Sequence, residues 1–319
     1  MTRTLSIHAF EDSREQATAL AAALGAPIRP IDVHIFPDGE SLVTATDPAE
    51  IAVVYRPLHQ PNAKLVELML AASALRDGGA KKLVLVAPYL PYMRQDIAFE
   101  TGQAVSQKVV GKTLGVWFDA VVAVAPHLHR TPSLSAVFPN HATATVQPID
   151  AMAWLLSHEP DANRVLIAPD VEAQRMVQAL AERVGARYGS ALKHRRGDTE
   201  VDVALSGAAS VNGRNAIIVD DMISTGYTLI ATARALLAAG ARTVEALVGH
   251  ALFSEESGRA MAVAGISRIR SCDGVPHPTN AVSLADSLAP AVLKVTQSLA
   301  VGPPYGPDVG LDRFDPPLV

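Results

Sequence analysis

The sequence predicts an α/β protein made of two similar domains, each a mainly parallel sheet flanked by helices. Short β-branched runs alternate with longer stretches of helical periodicity, the order in which βαβ units are written. Several of the short runs are apolar at consecutive positions, as strands covered by helices on both faces are. Residues 74–87 (Ala-Leu-Arg-Asp-Gly-Gly-Ala-Lys-Lys-Leu-Val-Leu-Val-Ala) are echoed half a chain later at 235–248 (Ala-Leu-Leu-Ala-Ala-Gly-Ala-Arg-Thr-Val-Glu-Ala-Leu-Val). Each copy is a helix end, a capping glycine (Gly79 or Gly240), a basic residue and a buried strand.

Taken in order, residues 1–10 read as an alternating strand without the apolar core and cleavage pattern of a signal peptide. A helix follows at 13–24, then a strand at 52–55 (Ala-Val-Val-Tyr), a helix at 62–76 and the strand 82–87. Val105, Val109 and Leu114 fall at helical spacing and predict a helix over 104–114, ahead of the strand 120–125 (Ala-Val-Val-Ala-Val-Ala). Pro148 marks the expected boundary. Beyond it come a helix at 151–158, a strand at 165–168, a helix at 172–184 and a strand at 216–219. A helix at 228–239 closed by Gly240, the strand 244–248 and a helix at 285–299 complete the second half. The expected domains are 1–147 and 148–301, followed by a tail, 302–319, rich in proline and glycine.

Composition removes several function classes. The 319-residue chain is 49% apolar and 18% charged, which excludes disorder as the dominant state. Its single cysteine, Cys272, cannot form an internal disulfide, so the expected compartment is the reducing cytoplasm. A net charge of −5 and 5% aromatic residues supply neither the basic footprint nor the stacking platforms of a nucleic-acid binder. The most apolar runs, 83–92 and 120–126, fall far short of the ~20 residues of a membrane-spanning helix.

The most informative segment runs Ile217-Ile218-Val219-Asp220-Asp221-Met222-Ile223-Ser224-Thr225-Gly226-Tyr227-Thr228. An apolar strand delivers two adjacent carboxylates to its carboxyl end, where open α/β sheets bind ligands. A tight turn with Ser224, Thr225, Gly226 and Thr228 then opens a helix, offering N–H groups, hydroxyls and a positive dipole end to a phosphate. Carboxylates do not grip phosphate; they suit sugar hydroxyls or a metal ion. The composite ligand is a phosphorylated sugar.

This segment resembles the phosphoribosyl-binding signature shared by type I phosphoribosyltransferases and the ribose-phosphate diphosphokinase family, and further segments separate the two. Phe36-Pro37-Asp38-Gly39-Glu40 looks like the nucleotide-contacting loop of the diphosphokinases. Phe36 offers a flat surface to an adenine, and Asp38 and Glu40 offer hydrogen-bond acceptors; a plain β-turn is the competing reading. Pro88-Tyr89-Leu90-Pro91-Tyr92-Met93-Arg94-Gln95-Asp96 is similar to the family's ATP-site segment, with the Arg94 guanidinium for polyphosphate oxygens and the Gln95 amide for the nucleotide. His127, closing Val124-Ala125-Pro126-His127, aligns with the family histidine beside the metal–triphosphate. Asp170 aligns with an acidic position associated with the second magnesium or the ribose phosphate. Lys193-His194-Arg195-Arg196 looks like the mobile catalytic loop, with Lys193 and Arg195 as the cations that close over the transferring diphosphoryl group.

The resemblance implies two tandem domains of the type I phosphoribosyltransferase kind and an enzyme using ATP and ribose 5-phosphate with Mg²⁺ to make phosphoribosyl diphosphate (PRPP) and AMP. It also implies a homo-oligomer, dimer to hexamer, in which Phe36 reaches a neighbouring subunit's site. A PRPP-consuming phosphoribosyltransferase and a non-catalytic phosphoribosyl-binding regulator are the alternatives. Departures mark a divergent branch. Ser224 stands where an acid is common, Val171-Glu172-Ala173 replaces a glycine-rich continuation, and Ile97 replaces a basic residue. One further match is set aside and one stays open. Residues 106–113 nearly match a Walker A loop but carry serine at the first glycine position and a helical pattern. His127-Leu128-His129 has the spacing of a metal pair, against which stands one functional histidine with a solvent-facing neighbour.

Overall fold

The structure is a computed structural model that describes residues 5–128, 130–196, 200–206 and 210–301. His129 and the tail 302–319 lie outside the described residues. The chain divides into two compact units: unit 1 holds residues up to Val146 together with Ala285 onward, and unit 2 spans Gln147–Leu284.

Unit 1 begins β1 (Leu5–Phe10), α1 (Arg14–Leu24), β2 (Ile28–Ile35), β3 (Ser41–Ala45), β4 (Ile51–Tyr55), α2 (Pro61–Asp77) and β5 (Lys82–Ala87). It continues with α3 (Ser106–Trp117), β6 (Ala120–Val124), the single turn α4 (Leu134–Val137) and β7 (Ala142–Val146). The sheet order is β3-β2-β1-β4-β5-β6-β7, parallel except for the antiparallel β2–β3 hairpin. β4 and β6 are buried along their whole length, so consecutive apolar residues do report helix cover on both faces.

Unit 2 comprises α5 (Ile149–His158), β8 (Arg164–Ala168), α6 (Gln174–Val184), β9 (Arg187–Arg196), β10 (Glu200–Ser206), β11 (Asn215–Ile223) and α7 (Tyr227–Ala238). β12 (Thr243–Ala251), α8 (Glu255–Val263), β13 (Ile266–Cys272) and β14 (Asn280–Val282) complete it. Its order, β10-β9-β8-β11-β12-β13-β14, repeats that of unit 1 strand for strand, with β9–β10 as the antiparallel pair. The echo between 74–87 and 235–248 therefore falls on equivalent pieces, α2–β5 and α7–β12.

One element departs from chain order. The final helix α9 (Ala285–Val301), which sequence order assigns to the second domain, packs on β5, β6, β7 and α1 of unit 1. Its apolar stripe of Leu288, Val292, Val295 and Leu299 is buried there. β13 also escapes a hydropathy reading because two arginines interrupt it. Arg270 is buried all the same, since its guanidinium pairs with Glu159 at 2.5 Å and Glu245 at 2.9 Å.

Candidate active site

In unit 2 the apolar strand β11 carries Asp220 and Asp221 to its carboxyl end, and β8 beside it delivers Asp170. The three carboxylates act on one another. Burial first, then the charge of Asp221, then that of Asp170 push the Asp220 carboxyl up to about 8. Asp220 Oδ1 accepts a hydrogen bond from the Asp221 N–H at 2.9 Å. Asp170 Oδ1 accepts from the N–H groups of Glu172 and Ala173, at 3.0 and 3.1 Å, and so ties down the turn that enters α6.

The phosphate turn follows. Ser224 and Thr225 are exposed, and Gly226 forms the left-handed N-cap of α7 at φ +80°. A Cβ at Gly226 would stand 2.9 Å from Met261 Sδ, so both backbone and space require glycine. The N-cap of α7 makes no side-chain cap hydrogen bond, and the positive end of the helix faces the turn. Tyr227 is 76% exposed and Thr228 is half-buried. On the neighbouring strand Gly249 lets the backbone pass close: a Cβ there would meet the Asp221 carbonyl oxygen at 2.6 Å.

Unit 1 groups a different set. Arg94 and Gln95 are exposed in the loop after β5, and His127 is half-buried in the loop after β6. Both loops hold a residue in left-handed backbone without glycine, Tyr92 at φ +64° and Ala125 at φ +38°. Asp96 joins the loops: its carboxylate accepts from the Arg130 guanidinium at 2.8 Å and from the Arg130 N–H at 3.2 Å. Burial raises its pKa, but these bonds outweigh it and hold the carboxyl below the usual carboxylate range.

Phe36, Asp38 and Glu40 are not brought to that group. They form the exposed tip of the β2–β3 hairpin, and β1 and β4 separate β2 from β5 in the sheet. Phe36 is 41% exposed and meets the His34 ring edge-on, while Asp38 Oδ1 accepts from the Glu40 N–H at 3.1 Å. The plain-turn reading and an exposed aromatic are thus both present in one loop.

Lys193 and Arg195 correct an expectation. They lie on strand β9, not in a loop, with Lys193 opposite Val203 and Arg195 opposite Val201 of β10. The valines at every second position of β10 supply the alternation that an antiparallel partner needs. Residues 197–199 lie outside the described residues.

The residues fit a magnesium ion in one way. Among the described residues no three His, Cys, Asp or Glu side chains converge as a closed metal cage. Mg²⁺ is ordinarily held by one or two carboxylates plus substrate phosphates and water, and the crowded Asp170, Asp220 and Asp221 form the kind of open acidic edge that a cation would relieve. Asp170 belongs to unit 2 and His127 to unit 1.

Comparison with known proteins settles the family. Residues 5–116 match the N-terminal domain of ribose phosphate pyrophosphokinase, and residues 140–286 match the phosphoribosyl transferase domain. A ribose-phosphate pyrophosphokinase of Methanopyrus kandleri is 31% identical over 86% of this chain and 93% of its own. The chain belongs to the ribose-phosphate pyrophosphokinase family. Another member, from Pyrococcus furiosus, is 31% identical over 82% of this chain and 92% of its own. The fold is that of the phosphoribosylpyrophosphate synthetase from Mycobacterium smegmatis, with a TM-score of 0.77 at 22% identity over 92% of this chain and 99% of that one.

Proposed function

We propose that the protein is a ribose-phosphate diphosphokinase: it transfers the β,γ-diphosphoryl group of ATP to the anomeric hydroxyl of ribose 5-phosphate, giving PRPP and AMP. One observation carries this reading beyond the family name. Two copies of one strand order are present, and only the second bears the acid pair and the phosphate turn, while the first bears Arg94, Gln95 and His127. An enzyme that merely consumed PRPP would need the second copy but would have no use for the first, differently equipped one.

Ser224, Thr225, Gly226, Tyr227 and Thr228 hold the 5-phosphate on the N-terminus of α7. Asp220 and Asp221 accept from the ribose hydroxyls. Arg94 and Gln95 hold the nucleotide and its phosphates, and His127 stands at the triphosphate. Asp170 in unit 2 and His127 in unit 1 are the residues that would each hold Mg²⁺, which would supply charge neutralisation to phosphate oxygens. Lys193 and Arg195 supply charge to the equatorial oxygens as the in-line transition state develops, so catalysis is mostly positioning and charge neutralisation. The isolation of the Phe36 hairpin tip from Arg94 within unit 1 supports a homo-oligomer, in which Phe36, Asp38 and Glu40 serve the adenine of a neighbouring subunit. A buried Cys272, whose thiol burial pushes up, fits a reducing cytoplasm.

The test is one assay with protein, Mg²⁺, ATP and ribose 5-phosphate, the nucleotides being separated by chromatography. AMP forms only when the sugar phosphate is present. ADP in its place, or pyrophosphate released from PRPP on adding a base, would refute the assignment.

A further inference from the structure

The two nucleotide loops of unit 1 follow β5 and β6, and side chains from outside the loops reach into them. Beside the Asp96–Arg130 tie, a side chain from α3 reaches both. Gln107, the second residue of α3, is only 4% exposed. Its backbone N–H, one of the first-turn donors a helix leaves unpaired, donates to the Gln95 carbonyl at 3.2 Å. Its Nε2 donates to the Met93 carbonyl at 3.1 Å, and its Oε1 accepts from the Thr131 hydroxyl at 2.8 Å. The Met93 carbonyl can only accept, which fixes which end of the amide faces it and leaves the oxygen to Thr131. Gln107 therefore grips the chain on both sides of Arg94 and ties it to the loop that carries His127.

We propose that Gln107 is a positioning residue for the ATP site, holding Arg94 and Gln95 in register with the His127 loop. The proposal rests on the reading of unit 1 as the nucleotide half. Without the brace the two loops sample other arrangements, and apparent ATP affinity falls by the fraction of time they are misplaced. The sugar-phosphate residues, all on unit 2, do not depend on it.

The experiment measures AMP formation by the full chain and by Gln107→Leu, Thr131→Val and Thr131→Ser, alongside thermal unfolding. Gln107→Leu raises the KM for ATP about tenfold, the usual effect of a buried hydrogen-bond pair lost, and leaves the KM for ribose 5-phosphate within about twofold. Thr131→Val raises the ATP KM by a smaller factor, and Thr131→Ser, which keeps the hydroxyl, restores it. A lower melting temperature in Gln107→Leu with an unmoved ATP KM makes the residue mere packing and overturns the proposal, as does an equal rise in both KM values. Should Gln107→Leu fail to fold, the Thr131 pair decides: if its valine and serine variants behave alike, the proposal falls. A wild-type chain that makes no AMP defeats the functional reading and the brace with it. AMP from the wild type with ATP KM unchanged in the variants defeats the brace alone.

Discussion

Asp220 sets the direction in which stability responds to pH. Its carboxyl titrates at about 8 in the folded chain against an ordinary 3.8, so folding takes up a proton wherever the unfolded chain has lost one. The cost is absent below about pH 4, grows as pH rises, and levels off above about pH 8. Asp220→Asn, neutral in both states, therefore melts at higher temperature than the wild type at pH 8 in the absence of divalent metal. The expected gain is at least 2–4 °C, the shift that about 1 kcal/mol gives in a domain of this size, and it vanishes at pH 4. A gain that persisted at pH 4 would show that packing, not charge, is responsible. The same variant loses ribose 5-phosphate affinity, because the crowding that makes Asp220 costly is what suits it to a cation or to sugar hydroxyls. His8 has the opposite sign: burial lowers its pKa to about 4, so the stability that its neutral ring maintains above about pH 6.5 is lost as pH falls toward 4.

Among the elements, the two antiparallel strand pairs are the informative ones. β2–β3 in unit 1 and β9–β10 in unit 2 occupy the same place in the repeated strand order, and each carries residues expected to act on ATP. Lys193→Ala should lower turnover by about 10²–10³-fold with ribose 5-phosphate binding within about twofold, the signature of a cation felt mainly in the transition state. Calorimetry with ribose 5-phosphate, set beside initial rates, decides it: matched losses in binding and rate would make Lys193 an ordinary substrate contact.

At the scale of the molecule, a helix from late in the chain completes the unit formed by its first part. α9 buries its stripe against β5–β7, so unit 1 lacks part of its core until the last helix arrives. Leu288, 1% exposed, is a point of that contact. Leu288→Ala should destabilise unit 1 by about 2–5 kcal/mol. Trp117 lies in unit 1 and Trp154 in unit 2, so Trp154→Phe leaves a reporter of unit 1 alone. Denaturation followed on Trp117 then reads the loss, and an unshifted transition would mean that α9 is dispensable.

What the sequence determined by itself was local and repetitive. The strands at 82–87, 120–125 and 216–219 were legible because consecutive apolar residues admit few other arrangements, and the helix expected at 104–114 was legible from Val105, Val109 and Leu114, although it runs 106–117 with Val105 as its N-cap. The acid pair and phosphate turn at 220–228 were legible for the same reason, since chemistry concentrated within nine residues needs no partner to be noticed. Arg268 and Arg270 hid β13, because their carboxylate partners Glu159 and Glu245 come from other elements. Tertiary structure alone decided that α9 joins the first unit, that Asp170 stands beside Asp220, that Lys193 and Arg195 ride on a strand, and that Gln107 clasps two loops. Periodicity is written among neighbours in the chain, whereas the choice of a distant partner depends on which buried polar atoms and apolar faces are left to be covered once the elements have formed.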